Sequence, residues 1–216
     1  MKIGIDIRSA GGEKTGKGFY TFHMTRELLK KDSHNEYFLY ADSGIAGFEE
    51  FKNAKLIIIT KKGMFWHRAV AKDVMANNLD IFFAPSSFII PAMLAKAVSL
   101  NKIKIIVTVH DIAAILFPEF HEKKAVVIEK LFIKKALKSA TKILAVSENT
   151  KKDLIRKFKI PGTKIEVTYC SASEDFFPAN TNDEKVKEFR VKASIPDEFF
   201  LSVGTIQPRK NYEALI

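Results

Sequence analysis

The stretch Lys104-Ile105-Ile106-Val107-Thr108-Val109-His110-Asp111 decides the fold. From Ile105 to Val109 every residue is β-branched, so the segment favours a strand and offers no polar face to water. A strand covered on both sides belongs in a parallel α/β sheet rather than in a half-solvated antiparallel one. The run then ends on two titratable residues, His110 and Asp111. Such a pair is costly in a core and natural at the rim of a cleft.

Outward from this run, six more segments read as strands: Lys2–Ile7, Glu36–Ala41, Lys55–Thr60, Asp80–Ala84, Lys142–Val146 and Ile165–Tyr169. Longer amphipathic segments, Phe19–Lys31, Phe65–Asn77, Glu122–Ser139 and Glu148–Phe158, alternate with them and predict helices. In the first of these, Tyr20, Met24 and Leu28 recur every fourth residue and predict its inner face. The alternation implies βαβ units and an α/β, Rossmann-like, largely parallel sheet with helices on both faces.

The composition is that of a soluble globular chain: of 216 residues, 47% are hydrophobic and 28% charged. The longest uncharged stretch, Ile81–Ala95, is broken by Pro85 and Pro91 and falls short of the roughly 20 residues of a bilayer span. Cys170 is alone and no Cys/His cluster has zinc-like spacing, which fits a reducing compartment. Met1-Lys2-Ile3-Gly4-Ile5-Asp6 leads straight into a strand without a signal-peptide pattern, so the expected location is the cytoplasm, with the inner membrane face as a candidate station. From Glu122 to Lys159 twelve Lys or Arg face four acids, which places +8 of the +10 net charge there.

Residues 1–178 read as one domain. A polar, proline-bearing connector follows over 179–197, and 198–216 opens a second, incomplete domain with a buried strand at Phe199–Gly204 and a helix from Asn211.

In an open parallel sheet, ligands bind outside the carboxyl ends of the strands. The unusual residues fall on that rim. The first loop carries Gly11, Gly12, Gly16 and Gly18 ahead of a helix, where backbone N–H groups and the helix N-terminus can meet an anion. It lacks the third glycine of a dinucleotide fingerprint and the Gly-Lys-Ser/Thr of a P-loop, which weakens NAD and ATP readings. His110 is placed to donate to a sugar hydroxyl, with Asp111 to orient it. Ser86 can contact a substrate, and Ser147 is a helix cap first and a contact second. Arg209 and Lys210 sit in a turn before a helix, where they could clamp a diphosphate.

Together, Thr15-Gly16-Lys17-Gly18-Phe19-Tyr20, Thr108-Val109-His110-Asp111 with Pro118, Ile143-Leu144-Ala145-Val146-Ser147-Glu148-Asn149-Thr150 and Val203-Gly204-Thr205…Arg209-Lys210-Asn211 resemble the retaining GT-B glycosyltransferases of the group-1 type, glycosyltransferase family four. The resemblance implies one half of a GT-B fold with a truncated second domain. It also implies sugar transfer from a nucleotide-sugar to a saccharide or lipid-linked acceptor with retention, as in cell-envelope polysaccharide synthesis. On the same resemblance Gly16, Gly18, Arg209 and Lys210 meet the donor diphosphate and His110 acts as the catalytic sugar contact. Asp111, Ser86 and Ser147 line the acceptor or sugar. Fixed cations would replace a metal, so no cofactor is expected. Ending at Ile216, the chain is expected to be inactive alone.

Clustered lysines over 122–159 could meet anionic headgroups. A GT-B-fold sugar-nucleotide epimerase or an inverting transferase would share the sheet. A basic polyanion- or membrane-binding α/β module is the alternative of another class. No nucleic-acid-binding signature is present.

Overall fold

The computed structural model describes every residue except 174, 175, 179, 181, 182, 205, 207 and 216. They form two compact units, Met1–Cys170 and Ser171–Ile216. The first runs β1 (Lys2–Asp6), α1 (Gly16–Lys31), β2 (Glu36–Ala41), β3 (Ala54–Ile58), α2 (Gly63–Ala76), β4 (Ile81–Ala84), α3 (Ile89–Met93), α4 (Ala95–Ser99), β5 (Lys104–Val109), α5 (Ala113–Leu116), α6 (Lys123–Ser139), β6 (Lys142–Ala145), α7 (Glu148–Phe158) and β7 (Ile165–Val167).

The strands form one sheet in the order β3-β2-β1-β4-β5-β6-β7. Every pairing is parallel, with registers such as Ile3 to Tyr37, Ile3 to Ile81 and Val107 to Ile143. Chain order reverses between β1 and β4, and a crevice opens at such a switch point. On one face, Ile5, Leu39 and Phe83 pack with Leu29 of α1. On the other, Tyr40, Phe82, Ile105, Val107 and Ile143 pack under Trp66 and Val70 of α2, Ile90 of α3 and Ile133 and Leu137 of α6. Burying each large side chain contributes about 1.5–3 kcal/mol, which is why β5 has to be apolar on both sides.

The structure corrects the inner face of α1. Its buried residues are Gly18, Thr21, Thr25 and Leu29, whereas Leu28 is exposed. Close packing selects small residues: a Cβ on Gly18 would lie 2.5 Å from the Ser9 carbonyl oxygen. Between β4 and β5 the chain forms the short helices α3 and α4, and beyond β5 the short helix α5, none of which was expected from sequence.

In the second unit, α8 (Glu184–Lys192) is capped by Asp183, whose side chain accepts from the Lys185 N–H. The buried strand expected at Phe199–Gly204 is not formed: its residues are in no strand, and Phe200 and Val203 are 98% and 86% exposed. No strand is described within Ser171–Ile216, so the run has no ladder to join in its own unit. The helix expected from Asn211 is replaced by short 3₁₀ turns at Pro208–Lys210 and Tyr212–Ala214.

Candidate active site

The carboxyl edge of the sheet around the switch point is knit by side chains from four elements. Beyond β4, the Ser86 hydroxyl donates to Ser9 Oγ at 2.9 Å, and Ser9 donates to Thr21 Oγ1 on α1 at 2.8 Å. Thr21 in turn donates to the Lys17 carbonyl at 2.9 Å. This chain ties the ends of β1 and β4 to the first turns of α1. Ser86 therefore acts first as a brace.

His110, just past β5, stands 2.9 Å through Nε2 from the Pro85 carbonyl oxygen. That oxygen can only accept, so Nε2 carries the proton. Burial, the largest influence, lowers the His110 pKa from its ordinary value; the Pro85 contact opposes this, Lys17 lowers it further and Asp111 raises it. The ring is neutral at pH 7, and Nδ1 is left as a bare acceptor. The donor role expected from sequence is thus reversed, because the one ring N–H is already committed to Pro85. Nor does Asp111 orient the ring: its carboxylate accepts the Ala113 N–H at 2.9 Å.

Two residues quoted in the sequence motifs but given no site role there, Tyr20 and Thr150, complete the seat of His110. Tyr20 of α1 meets the imidazole edge-on, ring centroids 4.8 Å apart, while its hydroxyl pairs with Thr108 Oγ1 at 3.2 Å. Thr150 of α7 donates to the His110 carbonyl at 3.1 Å. Its backbone N–H is capped by Ser147 Oγ at 3.1 Å, so Ser147 is the helix cap expected of it. A polar Thr108 inside an otherwise apolar strand was the available signal for Tyr20.

Gly16 and Gly18, expected in the loop ahead of the first helix, lie in the first turn of α1 and part company there. Gly18 is buried and its missing side chain makes room for Ser9, whereas Gly16 opens α1 with nothing within 4 Å of a would-be Cβ. Thr15, at the N-cap, contributes no side-chain bond, so the first N–H groups of α1 stay open to an anion. Glu129 of α6 also belongs to this neighbourhood. Burial raises its pKa most, and it interacts electrostatically with Lys17, Asp111 and His121.

The sequence from residue 16 to residue 175 matches Glycosyltransferase Family 4. The chain belongs to that family. An O-antigen chain mannosyltransferase B of Escherichia coli is 29% identical over 137 residues, covering 63% of this chain and 34% of that protein. A serotype-specific mannosyltransferase WbdA of Escherichia coli is 31% identical over 100 residues, covering 46% of this chain and 11% of that one. The chain thus spans about a third of the first relative and about a tenth of the second. A glycosyltransferase from Rickettsia africae ESF-5 shares the fold, with a TM-score of 0.53 at 20% identity over 91% of this chain and 50% of its own.

In this family 4 chain, Arg209 and Lys210 lie in the second unit, within the turn Pro208–Lys210. Lys210 is exposed; the Arg209 side chain, Thr205 and Gln207 lie outside the described residues. A separate surface runs along α6, where a groove of about 730 Å³ beside α4 is lined by Val98, Lys130, Leu131, Lys134, Lys135 and Lys138. Val127 and Leu131 are 54% and 68% exposed among these lysines. No helix among the described residues is long and apolar enough to cross a membrane.

Proposed function

We propose that this chain supplies the acceptor side of a glycosyltransferase that moves a sugar from a nucleoside-diphosphate sugar to a saccharide or lipid-linked acceptor with retention of configuration. The observation that carries the proposal is the neutral His110, locked by Pro85, Tyr20 and Thr150 beside the switch point with Nδ1 free to accept a hydroxyl of the transferred sugar. Membership of Glycosyltransferase Family 4 supports the reaction class. Two relatives named as mannosyltransferases make a mannosyl donor the first to test and favour an envelope polysaccharide as product.

The charge that develops on a departing diphosphate is what most needs stabilising. In this proposal the open first turn of α1 at Gly16 meets it, and Arg209 and Lys210 clamp it, without a required divalent ion. The lysine-rich face of α6, with Val127 and Leu131 exposed, holds the enzyme at an anionic membrane surface on the cytoplasmic side, where a lipid-linked acceptor would be presented.

The test is nucleoside diphosphate release by the full-length protein across a panel of nucleotide-sugars, with and without a chelator. Turnover that survives chelation and gives a product of retained configuration supports the proposal. Product of inverted configuration, or epimerised donor formed without acceptor, rejects it.

A further inference from the structure

β1 ends on Asp6, which is 2% exposed and accepts the backbone N–H of Arg8 through Oδ1 at 3.2 Å. The guanidinium of Arg8 does not close on that carboxylate. Its Cζ lies 4.3 Å from the ring centroid of Trp66, over the face of the indole. Among the described residues it makes no ion pair and no side-chain hydrogen bond. Trp66 itself is fully buried and anchored by its Nε1–H, 3.4 Å from the Ala41 carbonyl.

The neighbouring His67 is 4% exposed, meets the Trp66 ring edge-on at 5.2 Å, and has a buried Nδ1 without a hydrogen-bond partner. Trp66 and His67 both come from the beginning of α2, which starts on the carboxyl side of the sheet because it follows β3. The group therefore sits on the same edge as His110, above β1.

Attraction of the guanidinium charge to the indole face consumes no hydrogen bond and leaves the N–H groups of Arg8 unspent. A guanidinium placed over an aromatic face, with no protein acceptor on its N–H groups, can turn its planar fork to the paired hydrogen bonds of a carboxylate or phosphate. The unpartnered Nδ1 of His67, the residue after Trp66 on α2, is a buried polar group of the kind that is normally satisfied, and its imidazole feels the Arg8 charge. We infer that Arg8, Trp66 and His67 form a subsite for an oxyanion, carboxylate or phosphate, carried by the acceptor. The word acceptor rests on the function proposed above; the oxyanion site does not.

Service as the counter-charge of Asp6 does not account for Arg8. Burial pushes the Asp6 carboxyl up to about 6 in spite of Arg8, and Asp42 raises it further, whereas a closed ion pair would have lowered it. His67 is driven down to about 4 by burial and by Arg8, so it stays neutral and offers a hydrogen bond rather than a second charge. With Asp6 and Asp42 offsetting part of the Arg8 charge, binding of a small isolated anion is expected in the millimolar range.

Trp66 is the only tryptophan in the chain, so its indole N–H resonance identifies itself. The ¹⁵N-labelled chain is titrated at constant ionic strength with inorganic phosphate, with glucuronate and with neutral methyl mannoside. A saturable shift of the indole resonance with either oxyanion, and none with the neutral sugar, is expected. Phosphate alone points to a phosphorylated acceptor and glucuronate alone to a uronate-bearing one. Arg8→Gln should weaken the response about tenfold or more, and Arg8→Lys, which keeps charge but loses the planar fork, about threefold to tenfold. If Arg8→Gln fails to fold, Arg8→Lys decides. Absence of a saturable shift up to about 50 mM, or affinity unchanged in the folded variants, overturns the subsite. Because no donor or turnover is involved, that failure leaves the transferase proposal standing, and an inactive full-length protein leaves the subsite standing.

Discussion

At His110 the choice between donating and accepting is made by the carbonyl of Pro85, far away in sequence but 2.9 Å away in space. If Nδ1 is the working atom, His110→Ala lowers kcat about 10²–10³-fold while leaving the unfolding temperature nearly unchanged, as circular dichroism would show. The acid limb of kcat/KM should fall below the ordinary imidazole value of 6.5, because burial lowers the pKa of this group. Asp6 and His67 make a second, sharper prediction about stability. The folded carboxyl titrates at about 6 instead of 3.8, so the folded state binds more protons in that window and Asp6 lowers stability as pH rises through it. The folded imidazole titrates at about 4 instead of 6.5, so the unfolded state binds more protons there and His67 raises stability with pH. The two slopes oppose each other between about pH 4 and 6. Asp6→Asn should expose the rising slope and add about 1–3 kcal/mol at pH 7, at about 1.4 kcal/mol per pKa unit, whereas His67→Gln should expose the falling one. Urea unfolding at closely spaced pH values reads both.

Among the elements, α1 and α7 carry the predictions. Ala at Gly18 forces a Cβ to 2.5 Å from a backbone oxygen and should cost about 1–3 kcal/mol, whereas Gly16→Ala meets nothing within 4 Å and should leave stability unchanged or slightly higher. A loss of turnover in folded Gly16→Ala would then speak for backbone approach to the donor. Ser147→Ala removes the cap of α7 and should cost about 1 kcal/mol in urea unfolding. The sheet was legible because its strands are short apolar runs rich in β-branched or aromatic residues, and Ser147 because a serine before a helical period is a cap signal. α3, α4 and α5 were not: they have four or five residues, too few to show a helical period, and α3 carries Pro91. The phase of α1 was partly misread: Gly18, Thr21 and Thr25 take the most buried line with Leu29, Tyr20 and Met24 lie at its flank, and Leu28 turns out to solvent. Arg8, Trp66 and His67 were hidden for a related reason, since an aromatic in an amphipathic helix looks like core and the partner of Arg8 lies on α2, far along the chain. The exposed Phe199–Gly204 run shows the limit of apolarity as a strand signal in a unit with no described strand to pair with.

Within Met1–Cys170, the clustered charge of α6 and the His110 edge are separate surfaces. Lys130, Lys134 and Lys138 share the outer side of α6 and line one groove. Replacing all three with Glu should abolish sedimentation with vesicles of anionic lipid and leave the His110 edge intact, so that turnover on a soluble acceptor analogue persists. Binding that survives the triple replacement would place membrane contact elsewhere. The central claim is that a neutral His110 at the switch point serves sugar transfer, and donor turnover tests it most directly. The full-length protein and its His110→Ala variant are compared for nucleoside diphosphate release across nucleotide-sugars, mannosyl donors first. Release by the parent that drops at least a hundredfold in the folded variant is the predicted result. No nucleotide-sugar binding or turnover by the parent, or equal turnover by the variant, would contradict it.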